Sequence, residues 1–324
     1  MSGTDWALSK VNSAIQNKNT NEVAPIALFV YNRPWHTRQT IESLQKNEFS
    51  AESDLFIFSD AAQKPEAVAA VCEVREYIKT IGGFKSVNIV ERGENLGLAN
   101  SIIGGVSSLC EEYGRVIVLE DDLVVSPVFL AYMHAALEKY SDEPRVMQIS
   151  GNMFPVLHPE ALPRTFFCRV TTSWGWATWD RAWRKFEPDA KKLADMITTQ
   201  KLRKDFDSGY DYFQILTMQG RGEIDSWAIR WYASVFLSGG FCLHPSLSLV
   251  SNIGHDGSGV HCIGSSKYRV SLSSTMPEPF PQIIEESPQG QQALENFFRA
   301  TCQSPWRRLL GRVKNVLQYI VKLP

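Results

Sequence analysis

Three consecutive carboxylates, Glu120, Asp121 and Asp122, stand directly after an apolar segment of the sequence, residues 115–119. That segment has the length and the β-branched composition of a buried strand. Adjacent carboxylates at the end of a core strand repel one another and lose hydration, so a cation must compensate them. Mg²⁺ and Mn²⁺ accept such oxygen ligands, commonly one or two carboxylates together with substrate phosphates. The triplet therefore predicts a divalent metal site; the alternative is a solvated acidic turn before the next helix.

Polar side chains also end or follow three other apolar segments. They are Asn32 and Arg33 after residues 24–31, Asp60 at the end of residues 54–60, and Arg92 and Asn95 after residues 86–90. Helical patterns at residues 36–46, 65–81 and 96–112 separate these segments, and Gly114 marks the end of the third. Strands that alternate with helices predict βαβ units and a doubly wound α/β sheet. Because ligands bind beyond the carboxyl ends of strands in such sheets, we expect these polar residues to border one site.

The alternation continues to about residue 150. Ser126 and Pro127 are typical of the N-cap and first residue of a helix, which we expect to run to about Tyr140. Beyond residue 150, aromatic and glycine-rich segments take over. We therefore expect a soft boundary near residue 150, inside one compact unit.

Four tryptophans lie close together in the second half of the chain, at positions 174, 176, 179 and 183. Aromatic faces can stack on the C–H groups of a sugar, and the intervening glycine in Trp-Gly-Trp permits close backbone approach. We therefore consider Trp174 and Trp176 as sugar-binding candidates, with burial in the core as the alternative. Trp179 and Trp183 we expect in the core.

Composition excludes several classes of protein. The chain has 324 residues, with 33 Lys and Arg against 35 Asp and Glu, and its net charge of −2 gives no global field that would hold nucleic acid. No apolar run approaches the ~20 residues of a membrane-spanning helix, and residues 1–22 lack the apolar core of a secretory signal. Six cysteines without a CxxC pair predict reduced, mostly buried thiols in a cytoplasmic protein, with a contact between Cys242 and Cys262 left open.

The acidic triplet and its surroundings resemble the metal motif of GT-A-fold glycosyltransferases, specifically the N-acetylglucosaminyltransferase I type and its bacterial family-2-like relatives. The segments that carry the resemblance, in the order and spacing of that family, are residues 31–34, 58–60, 94–99, 120–130, 173–179 and 225–227. The resemblance covers about residues 24–262. It implies a GT-A (Rossmann-like) doubly wound mixed sheet with helices on both faces. It also implies a nucleotide-sugar donor and Mn²⁺ or Mg²⁺.

The resemblance implies a role for each matching residue, within the organisation expected from the sequence pattern. A polar leader (1–22) precedes a nucleotide-sugar-binding half (23–150), an aromatic-rich acceptor-binding half (151–265) and a C-terminal extension (266–324). Asn32, Arg33, Arg92 and Asn95 would contact the nucleotide or its diphosphate, Asp60 the uracil ring, Glu120 and Asp121 the base and ribose, and Asp122 the metal. Because aromatic faces can stack on sugars, Trp174 and Trp176 are assigned to the donor or acceptor sugar.

Asp225 is the candidate catalytic base. Inverting glycosyl transfer needs a carboxylate that accepts the proton of the attacking hydroxyl, and the family has an acidic residue before a tryptophan-containing helix. Asp225 stands just before Trp227 in this sequence. The alternative is that Asp225 only caps that helix, and Glu223 is the second candidate base.

Two further segments carry candidate contacts. The glycine-rich segment 251–261 contains His261, which the resemblance places against the diphosphate or the metal, with His255 as the second choice. Residues 304–324 are basic and amphipathic. They predict either contact with an anionic membrane surface or packing on the catalytic domain or on a second subunit of a homo-oligomer.

The leading hypothesis is an inverting, metal-dependent glycosyltransferase that takes a nucleotide sugar, a UDP-sugar by preference, to a glycan or lipid-linked glycan acceptor of a cell-surface polysaccharide. We expect it to be cytoplasmic and peripheral to the inner face of the membrane. The second hypothesis is a sugar-phosphate nucleotidyltransferase, although residues 31–35 lack the glycine-rich, basic loop that this chemistry uses. A non-catalytic carbohydrate-binding protein is the third.

Overall fold

Residues 23–256 and 266–301 are described in the structure, a computed structural model. The polar leader, His261, Cys262, Cys302 and the basic segment 304–324 lie outside the described residues. The strands are β1 (Ile26–Val30), β2 (Asp54–Ser59), β3 (Ser86–Glu91), β4 (Arg115–Glu120), β5 (Leu123–Val125), β6 (Val146–Ser150), β7 (Thr165–Cys168), β8 (Trp176–Trp179), β9 (Phe241–Pro245) and β10 (Val250–Asn252).

Helices connect most of these strands. They are α1 (Pro34–Gln45), α2 (Val68–Ile78), α3 (Gly97–Tyr113), α4 (Phe129–Lys139), α5 (Asp180–Trp183), α6 (Ala190–Thr199), α7 (Arg203–Asp207), α8 (Tyr212–Gly220), α9 (Trp227–Leu237) and α10 (Pro288–Thr301). None of the helices in the described ranges has both the length and the apolar character needed to span a bilayer.

Eight strands form one mixed sheet in the order β3-β2-β1-β4-β8-β6-β9-β7, and β5 pairs with β10 in a separate ribbon. The β3-β2-β1-β4 half is parallel throughout. Strand β8 is antiparallel to both β4 and β6, which makes the sheet mixed. Strands from before and after residue 150 therefore share one sheet, and the predicted doubly wound α/β fold is confirmed.

Strand β1 is buried on both faces because helices cover both sides of the sheet. Its residues Ile26, Leu28 and Val30 belong to the core under α1 and α4, while Ala27 and Phe29 belong to the core under α3. A continuous apolar run is what a central parallel strand between two helical layers requires. This arrangement leaves the carboxyl ends of β1 to β4 as the open edge of the parallel half.

The predicted helix boundaries are close to the observed ones, with two differences that have physical causes. The helix expected from Ser126 begins instead at Phe129, because the Ser126 hydroxyl donates to the Ser273 carbonyl at 2.6 Å and residues 126–129 first form a turn. The helix expected over 65–81 is divided into a 3₁₀ turn and α2. Gly114 ends α3 as predicted, with a φ of 75°.

The described cysteines agree with the expectation of reduced thiols. Cys72, Cys110, Cys168 and Cys242 are all free, and only Cys72 is exposed. Burial raises the pKa of the Cys110, Cys168 and Cys242 thiols, which keeps them protonated and unreactive.

His244 on β9 predicts a loss of stability in mild acid. Its ring is fully buried, Nε2 lies 2.8 Å from the Val170 carbonyl oxygen that accepts its hydrogen, and burial lowers its pKa to about 4. The unfolded chain takes up this proton near pH 6.5, so folding stability falls as the pH drops from about 6.5 to 4, by roughly 3 kcal/mol at most. Urea unfolding at pH 7.5 and pH 5 should show this loss, and His244→Gln should reduce it.

His134 on α4 contributes in the same direction, because burial lowers its pKa to about 4 as well. The exposed His158 provides the matched control, since its side chain is 80% exposed. The interpretation is wrong if His158→Gln changes the pH dependence of unfolding as much as His244→Gln does.

Candidate functional site

Asp121 and Asp122 lie in the tight connection between β4 and β5, and both are buried. Strand β5 pairs with β10, and in that ribbon the Ile253 N–H donates to the Asp122 carbonyl at 2.9 Å. The two carboxylates are therefore carried on a backbone that is fixed between the main sheet and the β5–β10 ribbon. A solvated acidic turn, the alternative considered from the sequence, does not describe this placement.

A buried polar row on α1 holds the same connection. The Thr40 hydroxyl donates to the Asp121 carbonyl at 2.8 Å and accepts from the Leu123 N–H at 3.1 Å. One turn further, Ser43 accepts from the Val125 N–H at 3.0 Å. The sequence analysis did not identify these residues. Their spacing of three on the inner face of an amphipathic helix was the available signal.

Replacing Thr40 by Val is expected to lower the free energy of unfolding by about 1–3 kcal/mol. The isosteric change leaves two buried backbone groups, the Asp121 carbonyl and the Leu123 N–H, without their partner. Chemical denaturation measures the loss, and Thr40→Ser should restore most of it. Thr37→Val is the matched control, because among the described residues the equally buried Thr37 hydroxyl donates only to the Arg33 carbonyl, just before the start of the same helix. Equal losses in the two valine variants would refute this role of Thr40.

Arg33 pairs with both aspartates of the triplet. Its Nη2 donates to Asp121 Oδ1 and, at 2.9 Å, to Asp122 Oδ2, while the Tyr31 N–H donates to Asp121 Oδ2 at 3.3 Å. Burial raises the pKa of Asp121, and the adjacent guanidinium opposes that shift. Burial alone would lower the pKa of Arg33, but Asp121 and Asp122 together outweigh this effect and raise that pKa. Arg33 is thus a permanent cation in this cluster.

Glu120 is the unpaired member of the triplet. Its carboxylate accepts no hydrogen bond from residues 23–256 or 266–301, and the same holds for Asp122 Oδ1. Burial, followed by the charges of Asp122 and Asp121, raises the pKa of Glu120. These oxygens are available for a cation or for a hydrogen-bond donor from a ligand.

The segment after β10 covers Asp122. A Cβ on Gly254 would lie 2.1 Å from Asp122 Oδ2 and 2.8 Å from Arg33 Nη1, so a larger residue here would displace the Asp122–Arg33 pair. The ring centre of the next residue, His255, lies 5.3 Å from that of Trp174. Burial lowers the pKa of His255, and the charge of Asp122 opposes only part of that shift. His255 Nε2 is buried and has no hydrogen-bond partner among residues 23–256 and 266–301. Of the two candidate histidines, His255 is the one that the described residues bring to the acids; His261 lies outside them.

The predicted residues after β2 and β3 form a second part of the same edge. The Asp60 carboxylate accepts from the backbone N–H groups of Ala61, Leu96 and Gly97 at 2.9–3.0 Å, so it caps the start of α3. The Asn95 side chain donates to the Ala61 carbonyl at 2.7 Å. The Arg92 guanidinium carbon lies 5.9 Å from the centre of the Phe58 ring. These side chains are brought together, and Asp60 and Asn95 shape the backbone there. Asn32 is half-buried after β1.

Arg75 on α2 ties the two loops of this second part together, and sequence reasoning missed it. Its guanidinium donates to the Ser59 hydroxyl at 3.2 Å and to the Arg92 carbonyl at 2.7 Å. No sequence signal separates this arginine from the surface charges of α2, since its partners lie in other elements of the fold.

Trp176 does not face a ligand, contrary to expectation. It is fully buried, stacks on Trp227 at 5.1 Å and contacts Trp183 and Trp231, because β8 lies inside the sheet and α9 covers it. Trp174 is half-buried and remains beside His255. The remaining pair, at positions 179 and 183, is buried, as predicted.

Asp225 lies just before α9, whose N-cap is Ser226 rather than Asp225. The Asp225 carboxylate lies 3.1 Å from Nη2 of the buried Arg230, and its side chain is 60% exposed. Trp227 stacks on Trp176, and Trp176 pairs with Val118 near the end of β4, so α9 begins toward the edge that carries the triplet. The second candidate, Glu223, is exposed and lies 3.6 Å from Arg221.

The candidate metal-binding side chains around the acidic triplet suit a metal ion only when a bound phosphorylated ligand supplies further oxygens. In the part of the chain that the structure describes, no group of three or more His, Cys, Asp and Glu side chains could hold a metal ion. Mg²⁺ and Mn²⁺ sites that bind phosphorylated ligands need only one or two protein carboxylates, because the phosphates supply the remaining oxygens.

Comparison with known proteins gives structural likeness alone. No family model and no curated protein matches the sequence. A mannosyltransferase, PcManGT from Pyrobaculum calidifontis in complex with GDP-Man and Mn²⁺, is similar over 72% of this chain and 80% of its own, with 11% identity and a TM-score of 0.36. TarS of S. aureus is similar over 51% of this chain and 30% of its own, with 12% identity and a TM-score of 0.33.

A second TarS structure, of residues 1–349 in complex with UDP, is similar over 48% of this chain and 47% of its own, with 11% identity and a TM-score of 0.31. This chain therefore spans less than half of either TarS chain. At such identities the likeness concerns the fold alone.

Proposed function

We propose that this protein is an inverting glycosyltransferase that moves a sugar from a nucleotide sugar, a UDP-sugar by preference, to a glycan acceptor of a cell-surface polysaccharide. One observation carries the proposal: the acidic triplet sits at the carboxyl end of β4, with Arg33 paired to two of its members and Gly254 packed directly on Asp122. Ligands of doubly wound sheets bind at this edge.

A divalent cation, Mn²⁺ or Mg²⁺, fits the residues around Asp122. In the described part of the chain, Asp122 Oδ1 accepts no hydrogen bond and the buried His255 Nε2 has no partner. His255 also lies near enough to Asp122 for the charge of that carboxylate to raise its pKa, although burial lowers this pKa overall. Asp122 and His255 would hold the ion, with Glu120 next to it. When bound, it would neutralise charge on the departing diphosphate.

The remaining residues of the site would bind and orient the donor. Asn32, Arg92 and Asn95 would border the nucleotide at the ends of the first three parallel strands. Asp60 acts there through the backbone, because its carboxylate is already used by the start of α3. Trp174, which is half-buried beside His255, would contact a sugar ring.

Asp225 would act as the general base. Its carboxylate is exposed toward solvent, where an acceptor hydroxyl can reach it, and the Arg230 contact fixes its orientation. The base takes the hydroxyl proton as that oxygen attacks the anomeric carbon from the face opposite the diphosphate, which inverts the configuration.

A binding and transfer assay with purified protein tests the proposal. We expect a UDP-sugar with Mn²⁺ to raise the melting temperature more than either alone, since a ligand that binds only the folded state stabilises it. Transfer to an acceptor should then give a product whose anomeric configuration, read by NMR, is inverted. Pyrophosphate release from a nucleoside triphosphate and a sugar phosphate would instead identify a nucleotidyltransferase. Absence of any nucleotide binding would contradict both.

A further inference from the structure

The Arg33 guanidinium is enclosed by the acids it neutralises. One nitrogen, Nη2, contacts both Asp121 Oδ1 and Asp122 Oδ2, and the other, Nη1, lies under the backbone of Gly254. Only about a fifth of the side chain is exposed, 19%. The residue is also fixed through its backbone, because its carbonyl accepts from the N–H of Thr37 at 2.9 Å at the start of α1. Arg33 is therefore held in place, and its charge cannot leave the cluster easily.

The position of Arg33 weakens the binding of a second cation at Asp122. Arg33 occupies Oδ2 of Asp122 and leaves only Oδ1 of that carboxylate free of hydrogen bonds from the described residues. A divalent ion at Oδ1 would sit on the same carboxylate as the guanidinium, and the two positive charges repel each other. One Asp122 oxygen and the His255 nitrogen beside a fixed positive charge form a weak site for Mg²⁺ or Mn²⁺, even with Glu120 nearby.

A nucleoside diphosphate changes this balance. Its oxygens add negative charge and supply the missing ligands of the ion, and a guanidinium donates readily to phosphate. We propose that Arg33 is an internal counter-ion of Asp121 and Asp122 that prevents the site from retaining a divalent cation until a nucleoside diphosphate is bound. This inference rests on the proposed function, and it concerns the order in which that site is filled.

The measurement is Mn²⁺ binding without catalysis. The electron paramagnetic resonance signal of free Mn²⁺ is followed during titration of the full chain, with and without UDP. In the wild type, UDP should strengthen Mn²⁺ binding at least tenfold. Arg33→Gln should bind Mn²⁺ alone at least tenfold more tightly than the wild type, and UDP should then add less than threefold. By linkage, Mn²⁺ must strengthen UDP binding by the same factor in each protein, which is an internal check.

Arg38→Gln is the matched control. It removes a positive charge from the same helix, but Arg38 is exposed and its guanidinium lies over the Tyr77 ring at 4.3 Å, away from the acids. Its Mn²⁺ binding should equal that of the wild type. Arg33→Lys keeps a positive charge and should bind Mn²⁺ alone as weakly as the wild type.

Three results overturn the inference. In the first, Arg33→Gln binds Mn²⁺ alone no more tightly than the wild type, although UDP and Mn²⁺ still bind; the proposed function then survives. In the second, wild-type protein binds Mn²⁺ equally well with and without UDP, which refutes the inference even if Arg33→Gln does not fold. In the third, no protein binds Mn²⁺ under any condition, which also removes the metal from the proposed function.

Discussion

Replacing Asp122 by Asn is expected to reduce kcat/KM for sugar transfer by about a thousandfold or more. The proposed cation supplies several kcal/mol of charge stabilisation to the departing diphosphate, and each 1.4 kcal/mol corresponds to a factor of ten in rate. An amide oxygen is a much weaker ligand than a carboxylate and brings no charge. Transfer rates at saturating Mn²⁺, together with Mn²⁺ affinity in the presence of UDP, measure the effect.

The fold should survive this substitution. Asparagine has the shape of aspartate, so the packing against Gly254 is kept, and Arg33 retains Asp121 as a partner. Asp195→Asn on the exposed face of α6 is the control for a simple change of surface charge, and it should leave transfer unchanged. If Asp122→Asn kept more than a tenth of the activity and its Mn²⁺ affinity, Asp122 would not be the metal ligand.

Replacing Asp225 by Asn is expected to lower kcat by about 10²- to 10⁴-fold, the usual contribution of a general base, while the KM for the donor changes little. The reason is that the amide cannot take the proton of the acceptor hydroxyl but keeps the size of the side chain. The Asn oxygen can still accept from Arg230, whose Nε also donates to the Ser226 carbonyl at 3.1 Å. Steady-state kinetics with varied donor separates the two parameters.

Glu223→Gln discriminates between the two candidate bases. Asp225 is paired to a buried arginine, whereas the Glu223 carboxylate is paired, within the described part of the chain, only with the exposed Arg221. Glu223 is therefore less firmly oriented, and its loss should cost little activity. Asp205→Asn on α7 provides the control for charge removal at an exposed position. A large loss in Glu223→Gln together with a normal Asp225→Asn would reverse the assignment.

The sequence by itself determined the parallel half of the fold and the edge where the site lies. The apolar runs at residues 24–31 and 115–119 have the length and composition of strands covered on both faces, and the helical patterns between such runs predict βαβ connections. From those two facts the carboxyl ends of β1 to β4 had to meet at one edge. The sequence thus predicts the acids at 120–122 at this edge, and β4 ends at Glu120 in the structure.

Tertiary structure alone decided which side chains pair within the site. Arg33 and Asp121 are separated by 88 positions, and no local pattern couples an arginine after one strand to an acid after another. The same is true of Gly254 on Asp122 and of Thr40 beneath it. Such contacts follow from the register of β1 with β4 and from the β5–β10 ribbon, which no local pattern of side chains specifies.

Burial of the polar and aromatic candidates was also decided only by packing. Trp176 resembles a sugar platform in sequence, yet β8 enters the sheet beside β4 and α9 closes over it, so its ring is part of the core. Asp60 looks like a ligand contact, yet the start of α3 uses its carboxylate. The residue type states what chemistry a side chain can perform. Which groups from distant parts of the chain contact that side chain depends on the assembled fold.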